Sequence, residues 1–326
     1  MFLAGDIGGT KTNLALYAYT DDKLCIQKSA SYPSKDHKTL VEIVRLFLGD
    51  GPTPVRHACF GVAGPVKDGR VQVTNLPWIV DAAEIQAELR LQRVSLLNDL
   101  EANAYGIKTL TSKELLPLNP KANPQQVGNR ALISAGTGLG EAGLIWDGVT
   151  HRPFACEGGH SSYAPNSSIG DEILIFLRKE HGHVSWERVL SGMGMRNLYR
   201  FFRQRSGLPE PEWLAEEIRN GDLAAVTTQV GIAKKDPVCI EALETFVGIY
   251  GSEAGNLALK MFALGGVYIG GGIAPKMLEK MQSETFLESF FHKGRMRPLL
   301  ETIPIYVILN DKTALQGAAW YAAHLG

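Results

Sequence analysis

Two glycine-rich turns follow apolar runs in this chain, and each has the composition of an anion clamp. The first is Gly5-Asp6-Ile7-Gly8-Gly9-Thr10, which closes a run beginning at Phe2 and precedes the alternating stretch Asn13–Tyr19. Paired glycines let a backbone turn tightly and aim its N–H groups at an anion. Asp6 stands where a magnesium ion, or a water bound to it, would meet a phosphate. The second turn holds Gly136, Thr137 and Gly138 within Ser134–Gly140. Thr10 and Thr137 can add hydroxyl donors. Each turn alone reads equally well as an ordinary hairpin with glycines at positive φ. Together they fit two clamps on the phosphates of one nucleotide. A third cluster, Gly270-Gly271-Gly272, ends the last long apolar run. Bare backbone there admits an adenine or ribose, or simply makes a tight strand–helix turn.

The polar residues suggest a partner for that nucleotide. Asn98-Asp99 follows the apolar run Val94–Leu97, which puts Asp99 at the carboxyl end of a strand. A carboxylate there can take a proton from a hydroxyl attacking a phosphate. It can equally cap the next helix. Glu157-Gly158-Gly159-His160 places an acid and an imidazole on a flexible turn, a combination that can both accept from and donate to sugar hydroxyls. Glu187, just after Ser185, falls in the first turn of a short helix, where an acid is also favourable by itself. Thr74-Asn75-Leu76-Pro77-Trp78 could border a sugar pocket, although Trp78 reads better as a packing residue. His181 and His183 have no third ligand at convincing spacing and read as a solvated helix end.

Two familiar nucleotide motifs do not fit. Gly-Gly-Thr-Lys-Thr lacks P-loop spacing, and the segment after it alternates like a strand. Gly138-x-Gly140-x-x-Gly143 matches the dinucleotide pattern, with Glu157 at roughly the distance of a ribose-binding acid. The run after it reaches Asp147-Gly148 too soon for a crossover helix.

The elements that must position these residues follow from periodicity. Phe2–Ile7 and Asn13–Tyr19 read as an antiparallel pair joined by the first turn, and Leu24–Ser31 as a further strand. His57–Val62 and Val94–Leu97 read as buried strands. Leu40–Leu48, Asp81–Leu91 and Leu100–Ile107 read as helices, the second with Asp81 at its N-cap. Residues 110–129, rich in Lys, Pro, Asn and Gln, read as a loop and candidate hinge. Strands Arg130–Ser134 and Glu141–Trp146 then flank the second turn. The chain becomes mostly helical, with candidates Ile169–Glu180, Trp186–Leu190, Met195–Gln204, Glu210–Arg219 and Val238–Phe262. Gly265–Gly272 and Pro304–Leu309 read as strands, Ala274-Pro275 as a helix start, and Thr313–His324 as a terminal helix. A strand, a glycine turn and a returning strand occur in each half.

Gross properties bound the answer. At 326 residues the chain is long enough for two domains with filled cores. A net charge of −1 gives no bulk attraction to nucleic acid or to an anionic membrane. No apolar run is long enough to span a bilayer, and the chain opens without a basic leader. The four cysteines, Cys25, Cys59, Cys156 and Cys239, are widely spaced and read as reduced cytosolic thiols.

Taken in order, these motifs resemble the bacterial-type glucokinases, hexokinase-like sugar kinases of the actin-like ATPase superfamily. The resemblance covers nearly the whole chain. It rests on Gly-Asp-Ile-Gly-Gly-Thr at 5–10, Thr-Asn-Leu-Pro-Trp at 74–78 and Asn-Asp at 98–99. It continues through Gly-Thr-Gly-Leu-Gly at 136–140, Glu-Gly-Gly-His at 157–160 and Ser-Trp-Glu-Arg-Val-Leu-Ser-Gly at 185–192. Gly-Gly-Val-Tyr-Ile-Gly-Gly-Gly-Ile at 265–273 completes it. The resemblance implies an α/β, two-domain, ribonuclease H-like fold with an interdomain cleft. The expected domains are a small one at 1–110, completed by the C-terminal helix 312–326, and a large one at 111–311. It implies ATP-dependent phosphorylation of the glucose 6-hydroxyl, with Asp99 as general base. Asn98, Asp99, Glu157, His160 and Glu187 would bind the sugar. Gly5–Thr10 and Gly136–Gly138 would hold the ATP phosphates, Asp6 would face Mg²⁺ (directly or through water), and Gly270–Gly272 would contact the adenosine. A cytoplasmic homodimer is expected. Cys156 precedes Glu157, but no cysteine cluster follows, so the structural zinc of the related repressor–kinase branch is not expected. The alternatives are a kinase for another hexose, a non-catalytic sugar-responsive regulator, and an actin-like assembly protein. The assembly protein has no use for the Asn98-Asp99 and Glu157/His160 pairs, and the regulator would carry an added DNA-binding helix pair.

Overall fold

The computed structural model describes residues 1–21, 23–49 and 55–325. The chain forms two compact units. One holds Met1–Ser112, Arg152–Ala155 and Asn310–Gly326, and the other Lys113–His151 and Cys156–Leu309.

The first unit is built on a five-stranded sheet. Its strands are β1 (Phe2–Ile7), β2 (Lys11–Thr20), β3 (Lys23–Pro33), β4 (His57–Val62) and β7 (Arg93–Asn98), in the order β3-β2-β1-β4-β7. β1 and β2 pair antiparallel across the first glycine turn, whereas β4 runs parallel to both β1 and β7. Strands of a parallel trio are buried on both faces, and β4 shows it: five of its six residues are buried. A small hairpin of β5 (Arg70–Gln72) and β6 (Ile79–Asp81) lies between β4 and the helix α2 (Ala82–Leu89). Asp81 does cap α2, accepting from the amides of Ala83 and Glu84. α1 (Leu40–Leu48) buries Leu40, Val41, Ile43, Val44 and Phe47, an i, i+3, i+4, i+7 stripe. Thr39 caps it by accepting from the Glu42 amide.

α3 (Asp99–Gly106) leaves directly from the end of β7. Of the two adjacent candidates it is Asn98, not Asp99, that caps it, because β7 stays paired through Asn98 (opposite Val62) and the helix begins one residue later.

The second unit repeats this plan. β9 (Arg130–Ala135) and β10 (Leu139–Trp146) form the antiparallel pair across the second glycine turn, and β12 (Val267–Gly270) runs parallel to β9 and to β13 (Ile305–Ile308). The order β10-β9-β12-β13 therefore matches β2-β1-β4-β7. The sequence between β9 and β10 returns as an antiparallel strand, which leaves no place for the crossover helix of a dinucleotide fold. β11 (His151–Cys156) leads from β10 into the Glu157 turn.

The region 110–129 is not wholly loop: β8 (Leu115–Pro117) lies within it, paired antiparallel to β13. Three residues carry too little pattern to announce a strand. Pairing with an edge creates it.

The core of this unit is helical. It comprises α4 (Ser168–His181), α5 (Gly192–Ser206), α6 (Glu212–Asn220), α7 (Leu223–Ile232) and the long α8 (Pro237–Met261), followed by the short α9 (Leu278–Met281), α10 (Glu284–Phe291) and α11 (Arg297–Leu300). α8 starts with Pro237 behind an Asp236 cap and stops where Phe262 turns left-handed at φ 48°. The expected helix Trp186–Leu190 is a single 3₁₀ turn, Trp186–Arg188. Ala274-Pro275 likewise opens a 3₁₀ turn, Ala274–Met277, before α9.

The chain then returns to the first unit as α12 (Thr313–His324). Gly106 and Gly317 let α12 press against α3. A Cβ at Gly106 would stand 2.0 Å from the Thr313 carbonyl oxygen, and one at Gly317 would stand 1.8 Å from that of Ala102. Residue 326, the last of the expected terminal helix, lies outside the described residues. Among the described residues no helix is long and apolar enough to cross a membrane.

Candidate active site

In the first unit the candidate residues converge at one end of the parallel trio. Ile7, Val62 and Asn98 form one row across β1, β4 and β7. Asp6, the 8–10 turn and Asp99 therefore all lie at the carboxyl end of the parallel trio, with β4 between β1 and β7, where α/β sheets place their ligands. Asn98 is fixed twice: its Nδ2 donates to the Gly64 carbonyl at 3.1 Å, and its Oδ1 accepts from the Leu100 amide at 2.9 Å. Asp99 Oδ1 accepts from the same amide at 3.0 Å. The cap and the expected base are thus neighbouring residues.

Neither Gly8 nor Gly9 has positive φ, so the hairpin expectation fails on that point. Closeness is the reason at Gly9, where a Cβ would stand 3.1 Å from the Thr74 carbonyl oxygen and 3.2 Å from Asn75 Cβ. The Thr74–Trp78 segment thus lies against the first glycine turn. Trp78 itself is buried, donating from Nε1 to the His37 carbonyl. Ser34 braces the turn from below: Oγ donates to the Gly8 carbonyl at 2.8 Å and its amide donates to that of Thr10 at 3.0 Å. Nothing local in the sequence flags Ser34.

Asp6 receives Nδ2 of Asn13 at 3.2 Å, across the β1–β2 pair. Burial raises the Asp6 carboxyl above its usual range, and the Asn13 amide partly offsets this. A desolvated carboxylate is a hard oxygen donor whose charged form a divalent cation would favour, so the residue fits magnesium.

In the second unit two turns lie side by side. Gly270 is opposite Ser134 in the parallel β12–β9 pair, so the 270–272 and 136–138 turns share an edge. Tyr250, fully buried, donates its hydroxyl to the Gly270 carbonyl at 3.4 Å and accepts from the Ala135 amide at 3.3 Å. The glycines differ in purpose. Gly271 has φ 81°, and a Cβ there would stand 2.3 Å from the Ala135 carbonyl oxygen, so the fold itself requires it. Gly136 and Gly272 meet nothing within 4 Å and have no positive φ. No internal contact calls for glycine at these two positions.

The sugar-binding candidates of this unit are gathered by a segment pairing that the sequence did not announce. The Trp186 amide donates to the Ser161 carbonyl at 3.0 Å, and that of Tyr163 to Val184 at 2.9 Å. This ties the Glu157–His160 turn to the turn bearing Glu187. His160 Nε2 lies 3.8 Å from Glu157 Oε2, and both side chains are more than half exposed, at 62% and 65%. The pair is therefore open to a ligand. Glu187 reaches the other way: its Oε2 accepts from the Leu139 amide at 3.0 Å. The Glu157 turn is not the flexible one expected. It is a 3₁₀ turn, Gly158–His160, laid on β10, where a Cβ on Gly159 would stand 2.1 Å from the Leu139 carbonyl oxygen.

His181 and His183 are not brought together as a site. His183 Nε2 bonds Ser162 Oγ at 3.2 Å, and His181 lies 4.0 Å from Glu180.

The chain is similar to known proteins along nearly its whole length. The family model described as Glucokinase matches residues 3–325. A glucokinase of Nostoc punctiforme is 42% identical over 100% of this chain and 99% of its own length. One from Yersinia enterocolitica is 36% identical over 98% and 95%. Among solved structures, a glucokinase from an Antarctic psychrotroph superposes with TM-score 0.85 at 34% identity, covering 99% of this chain and 98% of its own. A ROK family glucokinase from Streptomyces griseus, in complex with glucose and AMPPNP, has TM-score 0.62 at 18% identity over 99% of both chains, a likeness of fold.

Proposed function

This chain belongs to the glucokinase family, with its actin-like ATPase fold, and from that premise we propose which of its residues carry the transfer of the ATP γ-phosphoryl group to the 6-hydroxyl of glucose. Asn98, Glu157, His160 and Glu187 hold the sugar, and Asp99 receives the proton of the 6-hydroxyl. As that O–H bond breaks, the oxygen forms a bond to the γ-phosphorus. The bond from phosphorus to the β-phosphate oxygen breaks, and ADP leaves with the electron pair. Asp99 then returns its proton to solvent. Backbone amides of the 5–10 and 136–138 turns stabilise the charge that develops on the phosphates. The 270–272 turn takes the adenosine, with Gly272 supplying the open backbone.

Asp6 would hold magnesium, directly or through water, and the metal would neutralise phosphate charge there. Exclusion of water from the reacting groups would limit ATP hydrolysis. A cytoplasmic homodimer completes the proposal; support for the compartment is that all four cysteines are free thiols.

The observation that carries the assignment is the row Ile7–Val62–Asn98. It supports the reading because the phosphate turn and the proposed base leave the same end of the sheet, on strands separated only by β4. Glucose-dependent ADP release, measured against mannose, fructose and N-acetylhexosamines, tests it. Release with glucose preferred supports the reading. Preference for another hexose redirects the substrate, and no sugar-dependent release refutes it.

A further inference from the structure

Beneath the Glu157–His160 turn lies a buried charged cluster that the reaction does not use. Glu141 projects from β10 and is 1% exposed, and Glu253, on α8, is fully buried. Glu253 is well satisfied: Nζ of Lys260 donates to its Oε1 at 3.0 Å and Nδ2 of Asn256 to its Oε2 at 2.7 Å. Glu141 interacts electrostatically with Glu253, and its own Oε1 is buried with no hydrogen-bond partner. Two buried carboxyls so placed disfavour a second negative charge.

The other oxygen of Glu141 touches the turn. A Cβ added to Gly158 would stand 1.9 Å from Glu141 Oε2 and 2.8 Å from its Cδ. Gly158 is glycine because the Glu141 carboxyl fills that space. On the same side, Cys156 Sγ donates to the Glu141 carbonyl at 3.4 Å. Glu157 is therefore held between two residues, Cys156 and Gly158, that each rest on Glu141.

We propose that Glu141, buried beneath Gly158, is a positioning residue that props the Glu157–His160 turn and thereby sets the affinity for the sugar. The inference rests on the assignment of Glu157 and His160 to glucose. Burial, and then the Glu253 carboxylate, push Glu141 up to about 8, against a smaller opposing effect of Lys260. The Glu141 carboxyl thus keeps its proton to higher pH than an ordinary carboxyl does. The other titratable groups packed around the cluster are Lys293, whose Nζ donates to Ser252 Oγ, and the Cys156 thiol, raised chiefly by burial. Ionising Glu141 sets two carboxylates against each other under Gly158. Glucose affinity therefore falls as pH rises and Glu141 ionises.

The test is glucose affinity, by calorimetry and from KM, between pH 6 and 9 for the full-length wild type and for Glu141→Gln, Glu141→Ala and Glu157→Ala. Glu141→Gln, which mimics the protonated acid, is expected to bind glucose as the wild type does at neutral pH and to lose the alkaline weakening. Glu141→Ala is expected to raise glucose KM roughly tenfold while kcat and the KM for ATP stay within about twofold. In the unliganded wild type, infrared difference spectra are expected to show a protonated-carboxyl band that Glu141→Gln removes. Should Glu141→Ala not fold, the pH profile of Glu141→Gln decides. An unchanged alkaline rise in Glu141→Gln, wild-type glucose affinity in Glu141→Ala, or an infrared band that survives Glu141→Gln overturns the inference. Normal glucose binding by Glu157→Ala overturns the sugar assignment instead, and the inference falls with it.

Discussion

Glu187 Oε2 lies 2.5 Å from where a Cβ of Gly138 would stand. The same oxygen accepts the Leu139 amide, so a residue assigned to the sugar also holds the end of a turn assigned to phosphate. On the proposed assignments, substrate and nucleotide would be coupled through one carboxylate.

Gly138→Ala must displace Glu187 or the turn. Misplacement on the order of 1 Å can cost about a hundredfold in rate. Steady-state kinetics are expected to show kcat/KM falling for glucose and for ATP together. A defect confined to one substrate would separate the two roles.

The glycines of the third turn predict opposite outcomes. Gly271→Ala forces a side chain against the Ala135 carbonyl at φ 81° and is expected to lower stability by about 1–3 kcal/mol, read by denaturant unfolding. Gly272→Ala meets open space, so the fold is expected to keep its melting temperature while KM for ATP rises. A Gly272→Ala protein with normal ATP affinity would remove the adenosine from this turn.

Asn98→Ala loses the cap of α3 and the bond to Gly64. A cost of about 1 kcal/mol in stability is expected from the cap alone, accompanied by weaker glucose binding. A purely structural Asn98 would show the first effect without the second.

Glu141 is raised by burial from its ordinary 4.5 to about 8, so the folded protein holds a proton that the unfolded chain releases. Stability is then greatest below about 4.5 as far as this group is concerned, declines as pH rises toward 8, and levels off above it. Unfolding free energies between pH 5 and 9 are expected to fall more steeply in the wild type than in Glu141→Gln. Parallel profiles would contradict the assignment of the proton.

Much of this was readable from residue order because glycine turns interrupt the apolar runs at fixed places. β1, β2, β9 and β10 followed from such interruptions, and α12 from its periodicity. Other features had no local signal. α7 is rich in β-branched residues and glycine, poor helix formers, yet it is held by burying Val226, Thr227 and Val230. A Cβ at its Gly231 would stand 2.7 Å from the Cys239 carbonyl oxygen of α8, so the contact decides the conformation. Asn98 and Asp99 are both good caps, and only the register of β7 against β4 chooses between them. The link from Glu157 to Glu187 depends on pairing of 161–163 with 184–186, a long-range event. Glu141 sits in a strand where an acid would ordinarily face solvent, and only the packing of α8 shows it buried.

The central claim is that the Asp99 carboxylate takes the proton of the sugar hydroxyl. It is tested most directly by comparing glucose-dependent ADP release and calorimetric glucose binding in wild type and Asp99→Asn. Loss of about 10²–10⁴ in kcat, with glucose affinity kept within a few-fold, is the predicted result. Near-normal turnover in Asp99→Asn would contradict it.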